Sequence, residues 1–188
     1  MKNMIKKIFF FFFIFYLLIN QSAAENDIMI LKLKDGDVRI ELYNDVAPNH
    51  VARFKKLSLE KKYDGVVFHR VIDGFMAQTG DVQFGNSSSE KFDLSRAGKG
   101  GSKYPDLKAE FGDIPHERGT LSMARSSSPD SANSQFFICF KSASHLDRQY
   151  TVFGRVVKGM EFVDLIKKGK GSSGKVESPD KIISLSSE

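Results

Sequence analysis

The sequence predicts a mainly β domain, an antiparallel barrel or sandwich with two capping helices. Three observations carry this expectation. Short runs with period-two alternation recur along the chain and are separated by Gly, Asp, Asn and Ser. Only two segments have helical spacing, one early and one late. No βαβ alternation of the kind that builds a parallel sheet is present.

The elements follow in order. Ile28 to Leu33 and Val38 to Leu42 flank Lys34-Asp35-Gly36-Asp37, a hairpin pattern with an Asp-Gly turn. Pro48 to Leu59 places Val51, Phe54 and Leu57 at helical spacing, and Pro48 suits the first turn. Val66 to Ile72 is a strand candidate, and Phe75 to Gln78 continues it beyond the Asp73-Gly74 turn. Gly80 to Glu110 is rich in Gly, Ser, Lys and Asp. It reads as a long surface loop, and such loops are usually functional. Gly119 to Ala124, Ser134 to Phe140 and Thr151 to Val157 are further strands. Gly159 to Lys168 is a short helix, and Ile182 to Leu185 a closing strand. Within Ser134 to Phe140, alternation puts Gln135, Phe137 and Cys139 on one face. It puts Phe136, Ile138 and Phe140 on the other, the natural interior.

The chain of 188 residues fits one domain preceded by a leader. Residues 1–24 read as a signal peptide. Lys2, Lys6 and Lys7 form a positive start, Ile8 to Ile19 an apolar stretch, and Ser22-Ala23-Ala24 a small-residue cleavage site. An uncleaved anchor is the alternative. Both readings export residues 25–188, with the bacterial periplasm the favoured compartment. A membrane is expected as a partner only through an uncleaved leader. The net charge of +5 overstates the basicity of the domain, because those three Lys leave 25 basic against 23 acidic residues. No Lys/Arg stripe interleaves with aromatics, which argues against nucleic acid. Cys139 is the only cysteine, so no internal disulfide can form.

The common catalytic signatures are missing. There is no G-x-S-x-G, and a hydrolase using one of the serines has little support. His116-Glu117 lacks a second His at zinc-protease spacing, so no metal is expected. No cofactor motif is present either.

Three blocks carry a different message. Phe68-His69-Arg70-Val71-Ile72-Asp73-Gly74-Phe75-Met76-Ala77-Gln78-Thr79-Gly80-Asp81 resembles the cyclophilin signature. Gly119 to Ala124 with Asn133 to Cys139 is a second match, and Leu146-Asp147 with Thr151 to Val156 a third. They occur in family order and span almost all of the domain. The resemblance implies a closed eight-stranded antiparallel β-barrel capped by two α-helices. It also implies a peptidyl-prolyl cis–trans isomerase that needs no cofactor and binds proline-containing polypeptides; a monomer is expected, although the sequence itself does not set oligomeric state.

The residues agree with that chemistry. Rotation about an X-Pro bond faces a barrier of ~18–20 kcal/mol and makes or breaks no bond. It calls for a dry pocket for the proline ring and a fixed donor at the twisting amide. Arg70, always charged and fork-shaped, is the candidate donor. By resemblance, Arg70 takes the catalytic arginine's place, and Gln78 holds the substrate backbone and orients Arg70. Phe75, Met76, Phe137 and Leu146 match the proline pocket. Ala124, Arg125, Ser126 and Gln135 fall where the family binds the residues before proline.

The chain also departs from the family. His145 stands in place of a Trp that supports tight cyclosporin binding, Tyr150 in place of the groove His, and Arg125 in place of an Asn. His145 reads as a groove-rim residue without acid–base duty, His69 as a satisfied structural histidine, and Cys139 as an inert thiol. A proline-peptide binding module is the competing reading of the same groove.

Overall fold

A computed structural model describes residues 27–188, and the leader expected at 1–24 lies outside them. The chain forms β1 (Ile28–Leu33), β2 (Gly36–Leu42), α1 (Pro48–Leu59), β3 (Arg70–Ile72), β4 (Met76–Thr79), β5 (Thr120–Met123), β6 (Phe136–Cys139), β7 (Val152–Lys158), α2 (Met160–Asp164) and β8 (Ser184–Ser187). A single 3-10 turn, Ser144–Leu146, precedes β7. All strand pairs are antiparallel, in the order β3-β4-β6-β5-β7-β2-β1-β8.

The sheet is an open, strongly curled half-barrel, which corrects the expected closed barrel. β8 pairs only with β1, and no ladder joins it to β3. The backbone between 174 and 182 lies in between. Val71 N donates to Gly174 O at 2.7 Å, Phe68 N to Asp180 O at 2.9 Å, and Ile182 N to Val66 O at 2.9 Å. These bonds reduce to isolated bridges at Arg70–Lys175 and Val67–Lys181. Left-handed Gly171 and Gly174, and Pro179 with no N–H, break the extended geometry that a ladder needs. For the same reason the strand expected from Val66 shortens to Arg70–Ile72.

Two smaller differences have local causes. The hairpin loop is Lys34-Asp35, and Gly36 already belongs to β2 opposite Leu33. A Cβ at Gly36 would lie 2.4 Å from the Phe162 ring, so the glycine serves packing against α2. The late helix ends at Asp164. Beyond it, Lys167 N donates to the Asp180 carboxylate at 2.8 Å instead of continuing the helix.

α1 has the predicted bounds and Pro at its start. Its N-terminal N–H groups find a partner far away in sequence, because Glu110 accepts from Asn49 N and His50 N at 3.1 Å each. Its apolar stripe seats Phe54 on Phe136, edge-on at 5.1 Å, and on Phe153 and Tyr63. The alternation of β6 sorts as expected. Phe136, Ile138 and Phe140 enter the main core, while Phe137 and Cys139 join a second cluster with Met76, Ala143 and Leu146. That second cluster lies on the outer face of the curled sheet and underlies the candidate site.

Candidate functional site

The register of four strands lines up the site. Arg70 on β3 pairs with Gln78 on β4, Gln78 with Phe137 on β6, and Phe137 with Ser122 on β5. One row further on, Ile72, Met76 and Cys139 are aligned. Residues in one row share a face, so Arg70, Gln78 and Phe137 rise on the same side.

A cavity of about 200 Å³ opens there. It is lined by Arg70, Phe75, Met76, Gln78, Ala124, Arg125, Phe137, Leu146 and Tyr150. Met76, Phe137 and Leu146 are buried, and Phe75 and Tyr150 are half-buried. The Tyr150 ring meets Phe137 edge-on at 6.0 Å. The half-buried Arg70 guanidinium donates to Gln78 Oε1 at 3.2 Å, lies 3.9 Å from Met76 Sδ, and donates through Nε to Ser173 O at 3.1 Å. No carboxylate pairs with it among the described residues. Burial lowers its pKa from the ordinary value, yet a guanidinium stays charged. The site is therefore an apolar cup with an unneutralised cation at its lip.

Gln78 passes the order on. Its Nε2 donates to Gln135 Oε1 at 3.0 Å, and Gln135 Nε2 donates to Gly100 O at 2.8 Å. Gln135, Arg125 and Ser126 line a neighbouring pocket of about 450 Å³. Its wall includes Lys99, Gly100, Asp106, Ser131 and Asn133, which sequence reasoning did not single out. The signals for them were the length of the loop that carries several of them and, for Asn133, its place at the start of the second block. Ser173, whose carbonyl anchors Arg70, was also missed. His145 is exposed and stands at the rim, its ring 5.4 Å from Phe75, outside the residues that line the cavity.

Three histidine and cysteine readings are now decided. Cys139 is fully buried, and burial pushes its thiol up to about 12, so it is inert at neutral pH. His69 is buried; neither ring nitrogen makes a hydrogen bond of full geometry, and the Val67 backbone acts on the ring as a weaker hydrogen-bond partner. It fills the space beside Gly98, where a Cβ would lie 2.9 Å from the ring, and shape more than hydrogen bonding fixes it. His116 stands between Asp147 Oδ1 and Ser122 Oγ, each at 2.9 Å. The set looks like a hydrolytic triad, but Ser122 is fully buried and donates to Thr151 O at 3.0 Å. No substrate can reach it. The His116 ring lies instead beside Phe137, stacked at 6.1 Å, under the floor of the cup.

The site is a solvent-open groove, with an apolar cup, a fixed cation at its lip and two linked side-chain amides beside it. The comparisons with known proteins state which kind of protein carries it. The family model described as cyclophilin type peptidyl-prolyl cis-trans isomerase matches residues 28–187. A relative from Brucella suis, named a probable peptidyl-prolyl cis-trans isomerase, is 59% identical over 169 residues, covering 89% of this chain and 86% of that one. A peptidyl-prolyl cis-trans isomerase from Acinetobacter baylyi is 39% identical over 153 residues, covering 79% and 76%. A Cryptosporidium parvum cyclophilin solved in the presence of the dipeptide Ala-Pro superposes with a TM-score of 0.72 at 27% identity, covering 86% of this chain and 98% of that one. The chain belongs to the cyclophilin-type family and is a peptidyl-prolyl cis-trans isomerase.

Proposed function

We propose that this isomerase acts on X-Pro bonds of exported polypeptides during their folding, with Arg70 as the group that stabilises the twisted amide. The observation that carries the mechanism is the Arg70 guanidinium, unpaired with any carboxylate, held by Gln78 and Ser173 at the lip of the cup. The proline ring enters the cup against Phe75, Met76, Phe137 and Leu146. As the peptide bond twists, resonance is lost and a lone pair localises on the proline nitrogen. A hydrogen bond from Arg70 to that nitrogen is worth more in the twisted state than in either planar state, which is the condition for acceleration. Gln78 and Gln135 hold the backbone on either side of the twist. No metal or cofactor is called on, and the groove takes one chain per monomer.

Export rests on the leader read at 1–24, with the periplasm the favoured compartment. The folding role follows from the reaction, because an uncatalysed X-Pro bond isomerises over tens to hundreds of seconds.

The test is exchange NMR on a short Ala-Pro peptide with the purified domain. The wild type should accelerate exchange. Arg70→Ala should lose about 10²–10³-fold in kcat/KM, the scale of one preorganised donor to a transition state. Arg70→Lys keeps the charge but loses the fork, and should recover only part of that loss. An Arg70→Ala variant that is folded and retains full turnover would sink the mechanism.

A further inference from the structure

We infer that the pocket beside the cup selects an acidic side chain next to the X-Pro pair, and that Lys99 and Arg125 make the selection. The inference rests on the reading of the groove given above. The two pockets share Gln78, Ala124 and Arg125, so a peptide seated in the cup continues into its neighbour.

The wall of the second pocket is built rather than loose. The fully buried Asp81 accepts from Gly98 N at 2.8 Å and from Gly100 N at 2.9 Å, which fixes the backbone on both sides of Lys99. Asn133 Oδ1 accepts from Ser102 N and Oγ, both at 2.7 Å, and holds the next turn. Gly100 O is also the end of the hydrogen-bond chain that starts at Arg70 and runs through Gln78 and Gln135. A side chain that settles against this wall is therefore linked by three hydrogen bonds to the arginine.

The charges on that wall are unbalanced. Lys99 is exposed; its backbone N donates to Arg96 O at 2.9 Å, and its ammonium forms no ion pair among the described residues. Arg125 directs its donors to backbone carbonyls of Ser126, Ser127 and Gln149, and its guanidinium lies 4.4 Å over the Tyr150 ring. These contacts aim the cation and leave its charge unneutralised. The one acid in the lining is Asp106, whose carboxylate accepts from Asn133 Nδ2 at 2.8 Å. In the lining two cations face one anion, and the buried Asp81 carboxylate behind the wall is taken up by four backbone N–H groups, so a Glu or Asp side chain is attracted and a Lys or Arg side chain repelled. Both cations reach solvent, and exposed pairs are weak individually. A preference of about three- to ten-fold for Glu over Lys is the scale expected from two of them. Salt should reduce it.

The experiment uses two peptide sets built on one X-Pro pair. In one, Glu, Ala or Lys stands directly before the pair; in the other, directly after it. Catalysed exchange is measured for each by NMR, and the Glu/Lys ratio of kcat/KM is taken within each protein variant, so that any loss of folded protein cancels. We expect a ratio of about three to ten in one set, falling at high salt. The set that shows it also gives the direction in which the substrate runs. The double variant Lys99→Glu with Arg125→Glu should invert the ratio. A ratio near one in both sets overturns the inference, and so does a preference that the double variant leaves unchanged. The Ala peptides separate the two layers. If wild type fails to accelerate them, the reading of the groove itself falls and the charge preference with it.

Discussion

At the scale of single residues, the site is surrounded by groups whose burial ties stability to pH. His69 directly precedes Arg70, is only 6% exposed, and makes no hydrogen bond of full geometry through its ring, with the Val67 backbone a weaker partner. Burial pushes its imidazole down to about 4, against the pull of the nearby Asp81 carboxylate. An unfolded histidine titrates near 6.5. Between those values the unfolded chain binds a proton that the folded one does not, so stability rises with pH through the window and is lost as pH falls from about 6.5 to about 4. The loss attributable to this one ring is on the order of 3 kcal/mol. Urea unfolding at pH 7 and pH 4 should show it, and His69→Leu should shrink the difference by about that amount. His50 and His116 are also lowered by burial, so some slope will remain in the variant. Equal pH dependence in wild type and variant would refute this account. The sequence could not show how His69 is packed. Its neighbour Gly98 comes from a loop 29 positions on, and no local pattern links them.

At the scale of elements, what the sequence made legible is what is periodic. α1 runs over Pro48–Leu59 as its spacing predicts, and β6 splits its aromatic residues between core and groove as alternation predicts. What stayed hidden is held by contacts without a period. Glu110 holds the start of α1 across about 60 positions of sequence. Asp81 is the clearest case. Its Oδ1 accepts from Gln83 N at 3.0 Å and Phe84 N at 2.9 Å, while Oδ2 accepts from Gly98 N and Gly100 N. One carboxylate thus joins the turn after β4 to the wall that carries Lys99, and gives an irregular loop the order of a strand. Asp81→Ala leaves four backbone donors without their acceptor, Phe84 N in a buried place and Gln83, Gly98 and Gly100 N in part-buried ones. It should cost about 1–3 kcal/mol, the range for leaving backbone donors unsatisfied. Hydrogen exchange would localise the effect. The amides of Gly98 and Gly100 should lose protection well before those of β1 and β2. Uniform loss across all strands would mean that Asp81 supports the whole fold rather than this wall.

At the scale of the whole molecule, an open half-barrel leaves its two outer strands, β3 and β8, to be bridged by other means, and Arg70 sits on one of them. The 174–182 segment does the bridging, and its first residue is decisive. Gly174 has φ +67°, and its carbonyl accepts from Val71 N at 2.7 Å. A Cβ there would lie 2.4 Å from Ile72 Cγ1 and 3.0 Å from Val71 O. The residue before it is Ser173, whose carbonyl holds Arg70 Nε. Gly174→Ala therefore adds left-handed strain of ~1–2 kcal/mol and a collision with β3, and the strap must move away from the strand it closes. Both stability and turnover should fall, because the shift takes one of the anchors of Arg70 with it. Gly171→Ala separates strain from closure. Gly171 is also left-handed, at φ +62°, but a Cβ there would meet nothing within 4 Å. That variant should lose only the ~1–2 kcal/mol of strain and keep its turnover. Urea midpoints and exchange NMR on the two proteins decide the matter. If Gly174→Ala is no worse than Gly171→Ala in both, the strap is a passive tail, and Arg70 is positioned by Gln78 and the β3–β4 pair alone.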